Sequence, residues 1–585
     1  MVFALTGQHS GLGCALVRMD SSHLDQSIQV LQVHGEEWAR LPIQQKINLL
    51  LKVRHNLGQT ASRWVEAAVA AKGIDPSSPW VGEEWVTGPW ALAEGINGLL
   101  ATLRALAAGH SPTLSRVTSR KDGQVVARVF PNNLFERLLL SGVTAEVWMQ
   151  PGVTVETLPD HMAAFYRRPK PAGHVALVLG AGNVNSIAPL DVLYRLFVEG
   201  RVVLLKLNPV NDYMGPILET VFAQLIDGGY LRVVPGGADV GEYLTRHAGI
   251  DSIHITGSAR THDLIVYGAG AEGAARKRRR EPILTKPMTS ELGGVGPTIV
   301  VPGPWTAADI RYQAENIVTM KLHNGGCNCV ASQVLILPET WDQSADLLGA
   351  VRTLFDRLPA RAPYYPGNAQ RQQEVLTRHP DAERLGPREA LRTLITNLDP
   401  TAADEYCFTE EVFGPVYAQT SLPGKTAVEF LRRAVSFCND TLQGTLGVTI
   451  LIHPRTLAEL GAEFEQAIAA LRYGSIGINV WNALAFLMAQ ASWGAYPGHR
   501  FDDIQSGMGC VHNCFMFDRP QKTVVRGSFY PFPRAWRHGE WHIAPKPLWF
   551  VTNRTAHITA RRVTQCAIEP RVKHWPGIFA AALFG

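Results

Sequence analysis

The stretch His323–Gln333, HNGGCNCVASQ, places two thiols, Cys327 and Cys329, one residue apart behind the glycine pair Gly325–Gly326. Three chemistries are open to it: metal ligation, a redox pair, or one nucleophile held out toward a substrate. A C-x-C pair offers two ligands where a structural zinc site needs four. The nearest other thiol downstream is Cys407, and no Cys/His pair stands at finger spacing, so no metal is expected. A disulfide between residues i and i+2 is strained. A free cysteine is ordinarily a small buried hydrophobe, but a Gly-Gly-x-Asn setting gives a bendable backbone that a ligand can approach closely. A second group of interest is Glu291 in TSELGGVG, a carboxylate followed closely by two glycines. It reads either as a solvated strand-end residue or as a base able to swing toward a ligand and take a proton.

The elements that must position these groups follow from hydrophobic periodicity. Residues 23–110 show apolar positions at three- and four-residue spacing and read as helices. From residue 173 the pattern changes. HVALVLGAGN, RVVLLKLNP, LRVVP and DSIHITGS read as buried strands, with helices IAPLDVLYRLFVEG, MGPILETVFAQLIDGG and DVGEYLTRHAG between them. Such alternation predicts an α/β fold with a parallel sheet that binds ligand at its carboxyl edge. A second α/β stretch runs from PTIVVP to SIGINVW and contains the thiol loop. Residues 492–550 read as irregular.

Eighteen per cent charged residues and 46% hydrophobic residues over 585 positions describe a globular chain of two or three subdomains. Eight cysteines spread thinly do not form a disulfide scaffold. The start lacks a basic region followed by a sustained apolar core, and no run reaches membrane-spanning length, so a cytoplasmic protein is expected. Net charge is +4, with eight basic against two acidic residues in 531–585. That basic tail, with its apolar end, suggests packing on the body or peripheral contact with an anionic membrane. The cluster Arg276–Arg280 reads as a solvated loop. No groove-reading motif accompanies these charges, which argues against nucleic acid.

ITGS after a strand, ELGG, a Gly-x-x-Cys loop and EEVFGPV at 410–416 occur in that order. Together they resemble the aldehyde dehydrogenase superfamily over about residues 40–510. The resemblance implies a Rossmann-type cofactor domain, a second α/β catalytic domain and a bridging arm. The corresponding division is 1–290 for the helical segment and dinucleotide domain, 291–480 for the thiol domain, and 481–585 for a return to the cofactor domain, the arm and the tail. It implies Cys329 as nucleophile, three residues after Gly326, in preference to Cys327, which would need glycine at Asn324. It further implies Glu291 as general base, and the side-chain amide of Asn183 with the Cys329 backbone N–H as oxyanion donors. NAD or NADP contacts fall to Lys206, Gly257, Ser258, Glu411 and Phe413. A homo-oligomer, dimer or tetramer, is implied too, with 161–171 as a candidate for part of the arm.

The implied reaction is NAD(P)-dependent oxidation of an aldehyde to an acid through a cysteine thioester. Apolar stretches 142–148 and 481–490 suggest a hydrophobic aldehyde. HVALVLGAGNV and CVASQ are also similar to acyl-CoA reductases, a branch that passes the acyl group to CoA, although Glu291 favours water. Departures from the pattern, namely Cys327, Ser332–Gln333, His262 and Val295, leave a non-catalytic scaffold on the same fold as a third reading.

Overall fold

A computed structural model describes residues 21–585; Cys14 lies outside them. Helices Ser21–Arg40 and Ile43–Ala71 follow the apolar spacing: Leu24, Ile28, Leu31 and Trp38 face inward, as do Ile47, Leu50, Leu57 and Trp64. Trp38 Nε1 donates to the Leu196 carbonyl at 3.0 Å and locks the first helix to the body.

Two sheets form the frame. The smaller has six strands, in the order Gly507–Met508, Met288–Leu292, Ser252–Gly257, Val175–Leu179, Val202–Lys206 and Leu231–Val234. All neighbours are parallel except the first pair. The chain leaves Val175–Leu179 toward one side and later returns to the other, so the strand order reverses there, the position where open α/β sheets bind ligands. This edge carries Lys206, Gly257 and Glu291 at or near the ends of their strands, and Asn183 in the loop after Val175–Leu179.

The larger sheet has eleven strands. Its parallel centre includes Gly296–Val300 and Ser332–Pro338, the latter buried at every residue. Both faces are covered, as continuous apolar strands require. Strand pairing crosses the bounds drawn from sequence. Arg116–Ser119, Val125–Phe130 and Thr144–Met149 lie within 1–290, yet they extend this sheet through Pro520–Arg526. Pro520–Arg526 in turn pairs parallel with Ser475–Ile478, so 492–550 is not wholly irregular.

One further expectation is corrected, and two other segments are placed. The basic cluster lies mostly within helix Gly270–Arg279, where Glu272, Asp263 and Glu281 pair with it. Residues 161–166 are held against the body, where Tyr166 donates to the Phe197 carbonyl and Phe165 sits against Gly200, while 167–170 are exposed. The tail packs on the body, with Ala560 and Val563 of helix Ala556–Ile568 and Ile578 of helix Trp575–Ala582 buried. Among the described residues, no helix is long and apolar enough to cross a membrane.

Candidate active site

Helix Ala307–Leu322 opens with a capping box between Thr306 and Asp309 and delivers the chain to the thiol loop. There Asn324, Gly325 and Gly326 take positive φ in succession, 55°, 65° and 79°. A side chain at Gly326 is excluded twice over, because an ideal Cβ would lie 2.4 Å from the Gly414 carbonyl oxygen. Asn324 is held in its unusual conformation by five hydrogen bonds, two of them accepted by its Oδ1 from Lys72 Nζ and Tyr364 Oη. Its backbone N–H donates to Glu83 at 3.1 Å, and its amide donates to the Asn183 and Cys327 carbonyls at 3.0 Å. Further along, Asn328 Nδ2 donates to the His323 carbonyl and Trp481 Nε1 to the Val330 carbonyl. The loop is thus fixed from several elements at once, which keeps its sulfur atoms in place.

The two thiols face different spaces. Cys329 is part-exposed and opens onto a narrow chamber of about 50 Å³, whose walls include Val184, Ile187, His323, Trp481, Phe486 and Trp493. Cys327 is buried and borders a separate cavity, where Asn368 Nδ2 donates to its sulfur at 3.6 Å. Neither belongs to the one His/Glu/Cys trio close enough to share a metal among the described residues, His379, Glu405 and Cys407.

Glu291 is 2% exposed and neither of its oxygens closes a hydrogen bond. Burial, and then the charge of Asp191, push its carboxyl up to about 7; the Cys329 thiol and the Trp493 indole act against that rise. Trp493 Nε1 is itself unpartnered, so these groups face one another across a gap short of bonding geometry. Burial and then the Glu291 charge push the Cys329 thiol well above its ordinary value. The pair therefore rests with the sulfur protonated beside a carboxyl that titrates near neutrality.

Asn183 is buried, and one of its amide hydrogens goes to the Cys327 carbonyl at 3.0 Å. Its own carbonyl accepts from Lys72 Nζ, Asn324 Nδ2 and Tyr364 Oη. Lys206 ends its strand buried, its pKa lowered by burial against the pull of Asp212 and Asp239. Gly257 is exposed, and Ser258 caps helix Ala259–Tyr267, its hydroxyl accepting from Thr261 N–H at 3.2 Å. The Glu411 carboxylate lies over Gly293, where an ideal Cβ would come within 2.1 Å of Oε1. Burial pushes Glu411 up to about 8, with Lys321 opposing, and Oε1 has no partner. The Phe413 ring stands 4.9 Å from Tyr365, and Arg371 donates to its carbonyl.

Several site residues carry no sequence signal. Asp191 is fully buried, accepts from Thr256 Oγ1 at 3.0 Å and lies 3.4 Å from His254 Nε2. Val86, Thr87 and Trp549 also wall the thiol chamber, from the N-terminal helices and the tail. The stretch 481–490 supplies chamber walls as expected, but 142–148 does not; it lies in a strand buried inside the large sheet.

The model of the aldehyde dehydrogenase family matches residues 99–359. Coniferyl aldehyde dehydrogenase of a Pseudomonas strain is 25% identical over 430 residues, 67% of this chain and 79% of its own. Over the matched residues the chain is similar to the aldehyde dehydrogenase family. Other curated relatives are matched over 37% to 63% of their length. The fold is similar to that of a Pseudomonas syringae aldehyde dehydrogenase solved with NAD+ and octanal. That likeness has a TM-score of 0.55 at 18% identity and covers 87% of this chain and 90% of that one. It is also similar to a Bacillus halodurans NADP-dependent glyceraldehyde-3-phosphate dehydrogenase solved with NADP, with a TM-score of 0.57 at 18% identity, over 86% of this chain and 91% of that one. Both structural neighbours are dehydrogenases, one solved with NAD+ and the other with NADP.

Proposed function

We propose that the chain oxidises a hydrophobic aldehyde to the carboxylic acid, with NAD or NADP as electron acceptor, through a thiohemiacetal and then a thioester on Cys329. The observation that carries this reading is a half-buried cysteine, Cys329, that lines an apolar chamber and is coupled to an unpartnered buried carboxyl, Glu291.

The residues present suit a dinucleotide. Lys206 lies beside the switch point of the small sheet, Ser258 opens a nine-residue helix whose N-terminus favours phosphate, and Glu411 keeps an unpartnered oxygen. Lys206, Gly257, Ser258, Glu411 and Phe413 would hold it, and when bound it supplies the acceptor for the substrate hydride.

The chain's own groups do the rest. Glu291 takes the Cys329 proton, a transfer its raised pKa makes affordable near neutrality. The sulfur attacks the carbonyl carbon, and the resulting oxyanion is met by the Cys329 N–H and the remaining amide hydrogen of Asn183. Loss of one such donor costs about 3–4 kcal/mol. Once hydride has left, a thioester remains on Cys329. Glu291 passes the first proton to solvent and then removes one from water; hydroxide adds to the acyl carbon, the C–S bond breaks, and the departing thiolate takes the proton back from Glu291 as the acid leaves. A base packed against the sulfur supports water rather than CoA as acceptor. Tryptophan, phenylalanine and aliphatic walls support an apolar substrate.

The test is turnover with a panel of aldehydes. Cys329→Ala should abolish aldehyde-dependent NAD(P)H formation, and Cys327→Ala should retain most of it. Equal activity of the two variants would overturn the assignment.

A further inference from the structure

Behind Glu291 lies a second buried carboxyl that takes no part in the steps above. Asp191 belongs to helix Ile187–Leu193 and is fully buried. Its place beside the base follows from strand register. Thr256 and Glu291 are partners on adjacent parallel strands, so their side chains leave the same face of the small sheet about 5 Å apart. Thr256 Oγ1 donates to Asp191 Oδ2 at 3.0 Å, which brings the Asp191 carboxylate down onto that face. Asp191 Oδ1 and both Glu291 oxygens close no hydrogen bond.

The surroundings fix the Asp191 charge without cancelling it. His254 shares the face with Thr256, two residues along the strand, and its Nε2 lies 3.4 Å from Asp191 Oδ2. Arg195 Nη2 donates to His254 Nδ1 at 2.9 Å. An arginine only donates, so Nδ1 accepts and the ring proton sits on Nε2, toward Asp191. Burial lowers the His254 pKa, so the ring is neutral near pH 7. His512, pushed down to about 4 by burial, is neutral there too. Arg195 is the one nearby cation, and it is ion-paired with Glu199. Glu411, within electrostatic reach of Glu291, holds its own proton up to about 8. An asparagine at 191 could accept the same Thr256 bond with no buried charge. What the carboxylate alone adds is its field at Glu291.

We propose that Asp191 is a positioning residue for the base, its buried charge keeping Glu291 ready to hold the Cys329 proton. Two neighbouring buried carboxyls resist ionising together, so one of them keeps a proton. Asp191, which accepts from Thr256 and faces the His254 N–H, carries the charge. Glu291, with no donor in bonding range, takes the proton. The affinity of the base for a thiol proton is thereby set from a helix outside the thiol loop and outside the strand of Glu291. The inference deepens the reading of Glu291 as general base and rests on it for turnover alone.

Iodoacetamide alkylation of Cys329 reports the Glu291 charge and needs no substrate. Two pairs are compared across pH: wild type with Glu291→Gln, and Asp191→Asn with Asp191→Asn/Glu291→Gln. Rates in the first pair should part near pH 7, where Glu291 titrates. Rates in the second should part about one unit lower, because the neighbouring charge is gone. Asp191→Glu keeps that charge and should restore the higher value. A parting pH unmoved by Asp191→Asn, as a merely structural role requires, overturns the proposal. Asp191→Ser, smaller and also neutral, gives the same reading if circular dichroism shows that the asparagine variant does not fold. The acid limb of kcat/KM should follow the alkylation shift. An alkylation shift with no change in that limb upholds the role of Asp191 and counts against Glu291 as the base of the reaction.

Discussion

Replacing Glu291 by Gln should push two readouts of the same site in opposite directions. The Glu291 charge is one of the causes that raise the Cys329 thiol. Two like charges roughly 4 Å apart at an effective dielectric near 20 repel by about 4 kcal/mol. That corresponds to an upper limit of about three pKa units. Glu291 itself titrates at about 7, so its charge is absent in acid and present in base. Wild type and Glu291→Gln should therefore alkylate at similar rates with iodoacetamide at pH 6. Above pH 7 the variant should pull ahead, by about tenfold or more at pH 8.5, because its thiol ionises more readily. Turnover should move the other way, falling about 10²–10⁴-fold with loss of the base. The assay is the rate of Cys329 carboxymethylation by peptide mass spectrometry across pH, beside steady-state NAD(P)H formation. An alkylation profile unchanged by the substitution would refute the electrostatic coupling, and unchanged turnover would refute the base.

The same group makes a stability prediction. A folded-state pKa near 7 against 4.5 in the unfolded chain means that Glu291 is no burden below pH 4.5. Its cost grows from there to pH 7, reaching about 3 kcal/mol. Glu291→Gln should accordingly resist urea better at pH 8 and behave like wild type near pH 4. Lys72 and Glu84 form a buried pair at 2.8 Å, so Lys72→Met alone should cost about 3–5 kcal/mol in urea unfolding, and the Lys72→Met/Glu84→Met double variant distinctly less. Gly326→Ala, with φ 79° and a Gly414 oxygen in the way, should lose turnover and stability together, measured by rate and urea midpoint. Trp549→Ala removes a chamber wall contributed by the tail, and should widen the panel of bulky aldehydes accepted, read as relative kcat/KM.

Much of the frame was legible because local and tertiary preferences agree. The apolar runs at 175–179, 202–206 and 252–257 are buried strands closing on glycine or polar loops, as their composition implies. The choice of Cys329 rested on its spacing from Gly326, and the structure sends the two thiols into separate spaces. Elements whose burial depends on remote partners were hidden. PQKTVVR looks polar, yet Lys522 is buried because its ammonium donates to the Ile468, Ala469 and Leu471 carbonyls. RKRRR reads as a loop, but four of its cations close a helix, where they suit the negative end of the dipole. The stretch 142–148 misled because its apolar residues serve a sheet, with Trp148 packed beneath the Arg120 guanidinium at 4.3 Å. Asp191, Thr87 and Trp549 meet the thiol chamber or its base from three distant segments, and no local pattern announces them.

The most direct measurement is to catch the covalent intermediate. Glu291→Gln given aldehyde and cofactor, quenched in acid and digested, should yield a peptide with the acyl group on Cys329, since hydrolysis lacks its base. An acyl group found on Cys327 instead, or no acyl-peptide from a variant that still reduces cofactor, would contradict the account.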